Sequence, residues 1–126
     1  DWDRFAIDAA RKDARPNETY IAGDVAIELV GAIDLNRPRA VGSTTPTSVT
    51  LIVDPPAVGL SAEMRRAILD SSPRTMIYVS CNPPTLARDL AELQSRFSVV
   101  SITPFDMFPQ TAEIEVIVHL QAAQAR

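Results

Sequence analysis

The chain is poor in several residue types that carry common chemistries. It has one Cys and one His in 126 residues. A single Cys cannot close an internal disulfide, and this usage fits a reducing, cytoplasmic compartment. One Cys and one His cannot assemble a structural zinc site, so no metal is expected. With four glycines and no Gly-x-Gly-x-x-Gly, the chain offers neither a dinucleotide fingerprint nor a phosphate loop. Aromatic residues are 6% of the chain and scattered, which provides no stacking platform for single-stranded nucleic acid. The most apolar uncharged stretch, residues 75–84, is too short to span a bilayer, and no basic-then-apolar leader opens the chain. Neither a membrane partner nor a secretory route is expected. Basic residues are also in deficit: 12 Lys and Arg stand against 16 Asp and Glu, for a net charge of −4. Bulk electrostatics therefore disfavour nucleic-acid binding by this segment alone.

What remains is the composition of a folded α/β protein, 46% hydrophobic and 22% charged, with a length suited to one domain. Residues 1–15 have helical spacing of Phe5, Ala6, Ala9, Ala10 and Ala14, and Pro16-Asn17 ends the run. Thr19 to Gly23 reads as a short strand and Val25 to Ile33 as a helix. Residues 34–48 carry loop chemistry. Val49 to Val53 and Thr75 to Val79 are β-branched apolar runs of the kind buried in parallel sheets. Between them Ser61 caps a helix to Leu69, with Met64, Ile68 and Leu69 inward. Pro83-Pro84 opens another helix, to about Ser95, with Leu86, Leu90 and Leu93 inward. Phe97 to Ile102 and Ile114 to Leu120 read as closing strands around a loop at residues 104–111. The alternation predicts an α/β sandwich with a mostly parallel sheet. With no helix between the last two strands, they either pair through their loop or one runs antiparallel to the rest.

Three places sit at strand ends, where open α/β sheets bind ligands. Asp54-Pro55-Pro56 ends one strand, and Pro after Asp fixes the exit direction. Cys81 follows the next apolar run and precedes a helix start, where free backbone N–H groups favour a thiolate. Glu113 and Glu115 flank Ile114, and strand alternation puts both on one face. An antiparallel final strand would bring Glu115 to Cys81, which pairs a nucleophile with a base. His119, among apolar neighbours, reads as a core or edge residue.

Taken together these blocks resemble the C-terminal part of the S-adenosylmethionine-dependent RNA (uracil-C5) methyltransferases. The resemblance rests on Asp54-Pro55-Pro56 with Gly59-Leu60, on Tyr78-Val79-Ser80-Cys81-Asn82-Pro83 continuing through Thr85-Leu86-Ala87-Arg88-Asp89-Leu90, and on Phe105-Asp106-Met107-Phe108-Pro109-Gln110-Thr111 followed by Glu115. It covers roughly residues 49–120. It implies a Rossmann-like methyltransferase sheet whose last strand is antiparallel. It also implies that Cys81 attacks C6 of a uracil, that Glu115 removes the C5 proton, and that Asp54, Asn82 and Pro83 line the substrate pocket. S-adenosyl-L-methionine is the implied methyl donor, with Asp1 at the ribose, Asp24 near the adenine and Asp54 at the shared pocket.

The chain departs from the family pattern in four respects. The Gly-rich cofactor turn and first strand are absent from it, as are the upstream RNA-binding regions, through which transfer or ribosomal RNA would be bound. Residues 1–126 are therefore read as a partial catalytic domain, expected to lack turnover on its own. Ala57 stands where the family usually has Arg, and Glu113 where it often has His. An alternative reading is a degenerate methyltransferase-like module that binds RNA or protein without catalysis. An amino-methyltransferase would need an aromatic residue in place of Ala57, and cytosine-C5 enzymes fit the Cys and Phe-Pro-Gln-Thr blocks less well.

Overall fold

A computed structural model describes residues 3–24 and 47–123. The chain divides into two compact units, Asp1–Arg39 and Ala40–Arg126. In the first, helix α1 (Arg4–Lys12) starts at the N-cap Asp3, whose carboxylate accepts from the N–H groups of Phe5 at 2.9 Å and Ala6 at 3.1 Å. Arg11 and Lys12 occupy its last turn, where cations complement the helix dipole. The strand expected at Thr19 to Gly23 is not formed: these residues are irregular, and Arg11 Nε donates to the Tyr20 carbonyl at 2.9 Å. A lone extended segment gains no ladder of hydrogen bonds, and among the described residues no strand pairs with it. The helix expected at Val25 to Ile33, Asp1, and residues 34–46 of the expected loop lie outside the described residues.

The second unit runs β1 (Thr47–Val53), α2 (Ala62–Ser71), β2 (Pro73–Ser80), α3 (Pro83–Leu93), β3 (Phe97–Phe105) and β4 (Glu115–Ala122). Thr47 and Ser48, expected in the loop, already belong to β1. The strand order is β1-β2-β4-β3. β1 and β2 are parallel, while β4 inserts between β2 and β3 and runs antiparallel to both. Three strands thus share a direction, yet the sheet contains one parallel pairing, because the reversed strand lies between its neighbours. β3 extends to Phe105 and β4 to Ala122, beyond the expected ends, because the register continues to Phe105↔Glu115 and Phe97↔Ala122.

Alternation sorts the sheet into two faces. Met76, Tyr78, Val116, Val118 and Leu120 are buried, and the Tyr78 hydroxyl reaches Asp89 of α3, so this is the helix-covered face. Ile68 of α2 and Leu93 of α3 are fully buried in the same core. Ser61 caps α2 through Met64 N–H at 3.1 Å, and Ser72, with φ +48°, closes it in the left-handed region. Leu69, expected inward, is half-buried, and Arg65 takes a buried place on that helix instead.

Candidate active site

The site forms where β1 and β2 end and β4 begins. Ser80↔Val116 is the last registered pair between β2 and β4. One step further along each chain lie Cys81, just past the end of β2, and Glu115, the first residue of β4. Val53 pairs with Tyr78, so Asp54 emerges from β1 at the same edge of the sheet. The antiparallel strand is what unites residues separated by 34 positions between Cys81 and Glu115.

Cys81 is a free, exposed thiol. A tight polar turn presents it. Ser80 Oγ accepts from Asn82 N–H at 3.1 Å and donates to the Asn82 carbonyl at 3.2 Å. Asn82 is the N-cap of α3, its side chain accepting from Thr85 N–H at 3.5 Å. Pro83 and Pro84 occupy the first helical positions, where their missing N–H groups cost nothing. The thiol therefore stands immediately ahead of a helix N-terminus.

Glu115 is half-buried, and its Oε2 is a buried oxygen without a hydrogen-bond partner. A buried acceptor left unpaired is costly and rare. Glu115 opens β4 at the end of the sheet where β2 gives way to the thiol, and an unpartnered oxygen there is suited to taking a proton. Glu113 does not share this setting. It is exposed and lies ahead of β4, its N–H donating to Thr111 Oγ1 at 3.2 Å. The expected pair on one strand face is corrected: β4 starts at Glu115, so alternation does not reach back to residue 113.

The loop entering β4 is shaped by its own sequence. Thr111 N–H donates to the Phe108 carbonyl at 3.1 Å, and Gln110 has φ +71°. Pro109 at the second position and a positive φ at the third are the signature of a type II turn. Asp54 is exposed at the start of the loop that joins β1 to α2. In that loop Gly59 N–H donates to the Pro56 carbonyl at 2.8 Å, with Gly59 at φ +76°. Ala57 contributes its carbonyl, which accepts from Thr85 Oγ1 at 3.0 Å, while its side chain faces solvent. The tie of this loop to α3 at Ala57 is thus made by backbone.

Sequence reasoning missed a buried polar cluster behind the edge. Asp89 is fully buried on α3. Its Oδ2 accepts from Leu60 N–H at 2.8 Å and from the Tyr78 hydroxyl at 2.7 Å. Its Oδ1 accepts from Arg65 Nη1 at 3.1 Å and from Arg88 Nε and Nη2 at 2.9 and 2.7 Å. Arg65 also donates to Glu92 at 2.7 Å and to the Leu60 carbonyl. Burial, followed by the neighbouring Asp89 carboxylate, pushes the Tyr78 phenol well above its ordinary value of 10.0. The bond to Glu92 is the leading cause that raises the Arg65 guanidinium. The available signal was helical phase: Asp89 lies on the stripe set by Leu86 and Leu93.

Residues 24–123 match the family model described as tRNA (Uracil-5-)-methyltransferase. The chain belongs to this family. An uncharacterised RNA methyltransferase of Protochlamydia amoebophila is 36% identical over 119 residues, which cover 94% of this chain and 25% of that protein. The tRNA (uracil(54)-C(5))-methyltransferase of Pyrococcus horikoshii is 35% identical over 123 residues, 95% of this chain and 26% of the relative. Among solved structures, the Pyrococcus abyssi tRNA (uracil-54, C5)-methyltransferase in complex with S-adenosyl-L-homocysteine superposes with a TM-score of 0.68. It is 28% identical, and the match covers 95% of this chain and 27% of that one. The chain spans about a quarter of the length of these relatives. The Rossmann-like methyltransferase fold with its antiparallel last strand is thus shared with a family member.

Asp24, assigned to the methyl donor, is half-buried in the first unit, whereas Asp54 lies in the sheet unit. Among the described residues no group of His, Cys, Asp and Glu is arranged to hold a metal ion, and no helix is long and apolar enough to cross a membrane.

Proposed function

We propose that this chain is the C-terminal portion of the catalytic domain of an RNA uracil-C5 methyltransferase, and that Cys81 and Glu115 carry its chemistry. The observation that bears most weight is the unpartnered buried Oε2 of Glu115 at the strand start beside an exposed thiol. Thiol and carboxylate divide the work as nucleophile and base. The Cys81 thiolate adds to C6 of the uracil, and the C5=C6 electron pair becomes available at C5. S-adenosyl-L-methionine supplies an electrophilic methyl group, which C5 accepts as the donor leaves as S-adenosyl-L-homocysteine. Glu115 then takes the C5 proton, the C5=C6 bond re-forms, the C6–S bond breaks and Cys81 is released as thiolate. The product is 5-methyluridine.

Asp54, at the open edge next to the thiol, would accept from the uracil ring, and Asn82 and Pro83 would form the floor beneath it. The target base must leave its stack to reach this edge. Of the residues assigned to the donor, Asp54 belongs to this edge, where it would help to hold the donor beside the base. Asp1 and Asp24 would bind its ribose and adenine. The relative from Pyrococcus abyssi was solved with S-adenosyl-L-homocysteine, which supports this donor, and the names of both Pyrococcus relatives favour transfer RNA as substrate. With 16 acidic against 12 basic residues, this segment leaves most phosphate contacts to other parts of the protein. The 126 residues alone should not turn over, since they include no Gly-rich donor turn.

The test is to incubate the full reading frame with S-adenosylmethionine and, separately, unmodified transfer RNA and ribosomal RNA, then digest each RNA to nucleosides. New 5-methyluridine is expected from the full protein and none from the 126 residues. A folded full-length protein that leaves both transfer and ribosomal RNA unmethylated would instead favour a binding module without catalysis.

A further inference from the structure

The Asp89 cluster links three segments of the candidate site. Through Leu60 N–H it holds the loop that begins at Asp54. Through the Tyr78 hydroxyl it holds the end of β2, three residues before Cys81. It sits on α3, whose N-cap directly follows the thiol. Two neighbours on α3 reinforce the first link: Arg88 Nη2 donates to the Val58 carbonyl at 2.9 Å, and Thr85 Oγ1 to that of Ala57 at 3.0 Å. The fit is close. A Cβ added to Gly59 would stand 2.6 Å from Asp89 Oδ2 and 2.7 Å from Arg88 Nη2.

A buried ion cluster is a poor device for stability alone, since well-packed apolar side chains commonly do as well. Its bonds are directional, however, and these converge on the loop carrying the acid and on the strand carrying the thiol. We propose that Asp89, with Arg88, is a positioning unit that sets Asp54 against Cys81, so that the uracil held by one is aligned for attack by the other. This inference rests on the uracil-C5 reading above. Misplacement of reacting groups by even an ångström is expensive, which gives the cluster its leverage.

The test follows covalent attack itself. RNA carrying 5-fluorouridine has fluorine in place of the C5 proton, so the reaction should stall as a Cys81–RNA adduct in the presence of S-adenosylmethionine. In the full-length protein, the rate of adduct formation at saturating RNA is measured for the wild type, Asp89→Asn, Arg88→Gln and Ile68→Val. RNA affinity and thermal midpoint are recorded for each. Ile68 is fully buried on α2 and serves as the control for lost stability. Asp89→Asn and Arg88→Gln should slow the adduct about 10- to 100-fold with RNA affinity unchanged. Ile68→Val should lower the midpoint and leave the rate as it was.

If Asp89→Asn does not fold, Arg88→Gln decides, because the Arg88 side chain is 48% exposed and its replacement leaves Asp89 paired with Arg65. Wild-type rates in both variants overturn the positioning role and leave the uracil-C5 reading standing. Equal slowing in Ile68→Val assigns the effect to stability and also overturns it. Absence of adduct in the wild type overturns both.

Discussion

The two polar regions of the sheet unit obey opposite rules. Behind the sheet, Asp89 is fully buried and both its oxygens are saturated by Leu60, Tyr78, Arg65 and Arg88. At the edge, Glu115 keeps a buried oxygen with no partner and Cys81 is an exposed free thiol. The two regions are joined by Tyr78, which ends in the first and lies three residues before the second. Saturation fixes geometry, while an unsatisfied group stores the capacity to bind or to take a proton. On the proposed function, the difference separates the residues that hold the site from those that would react in it, although all of them are ordinary polar side chains in the sequence.

Changes at the two regions should therefore have separable consequences. The largest effect on activity is expected from Cys81→Ala in the full-length protein: methylation should vanish, with stability within about 0.5 kcal/mol of wild type because the thiol is exposed. Methylation assays beside denaturant unfolding check this, and a large loss of stability would erase the contrast. Asp89→Ala leaves Arg65 and the Leu60 N–H without their buried acceptor. Removing one partner of a buried pair costs about 3–5 kcal/mol, read as a lower midpoint in denaturant. Gly59→Ala should cost about 1–3 kcal/mol, since φ +76° is strained for a residue with a Cβ and that atom would press on Asp89. Urea unfolding of the single variant checks it.

The smallest effect concerns pH. The Tyr78 phenol is raised above 10.0 in the folded chain, so below that value both folded and unfolded forms keep the proton and stability is at its full level. As pH climbs past it, the unfolded chain loses the proton first and stability falls. Tyr78→Phe should flatten the loss between about pH 9 and about pH 11, measured as thermal midpoints at the two values. An unchanged slope would remove Tyr78 from the saturated cluster.

Much of this was legible in the sequence, for reasons tied to particular residues. The β-branched runs at Val49 to Val53 and Thr75 to Val79 became the parallel pair β1 and β2, but the burial on both faces that their apolarity suggested is not found in β1, where Val53 is buried while Val49 and Ile52 are exposed. Ser61 and Asn82 mark their helix starts because short polar side chains satisfy free N–H groups. Whether the start of β4 lies at the end of β2 depended on strand direction, which the missing helix between β3 and β4 left as two options, and the antiparallel pairing decided it. Thr19 to Gly23 has the composition of a strand but no ladder among the described residues, and propensity without a partner does not make one. Arg65 and Asp89 stayed hidden because charged residues on helices are usually solvated, and Tyr78 because it reads as one more apolar position of β2. Their convergence is a property of the packing of α2 and α3 against β2 and not of any one segment.

The central claim is that Cys81 attacks and Glu115 removes the proton, and Glu115→Gln isolates the two steps. In the full-length protein, with S-adenosylmethionine and ordinary uridine RNA, attack and methyl transfer should proceed while release stalls. The account predicts a Cys81 peptide bearing methylated RNA in the mass spectrum, with turnover reduced about 10²- to 10⁴-fold. A variant that forms 5-methyluridine at the wild-type rate, with no adduct on Cys81, would contradict it.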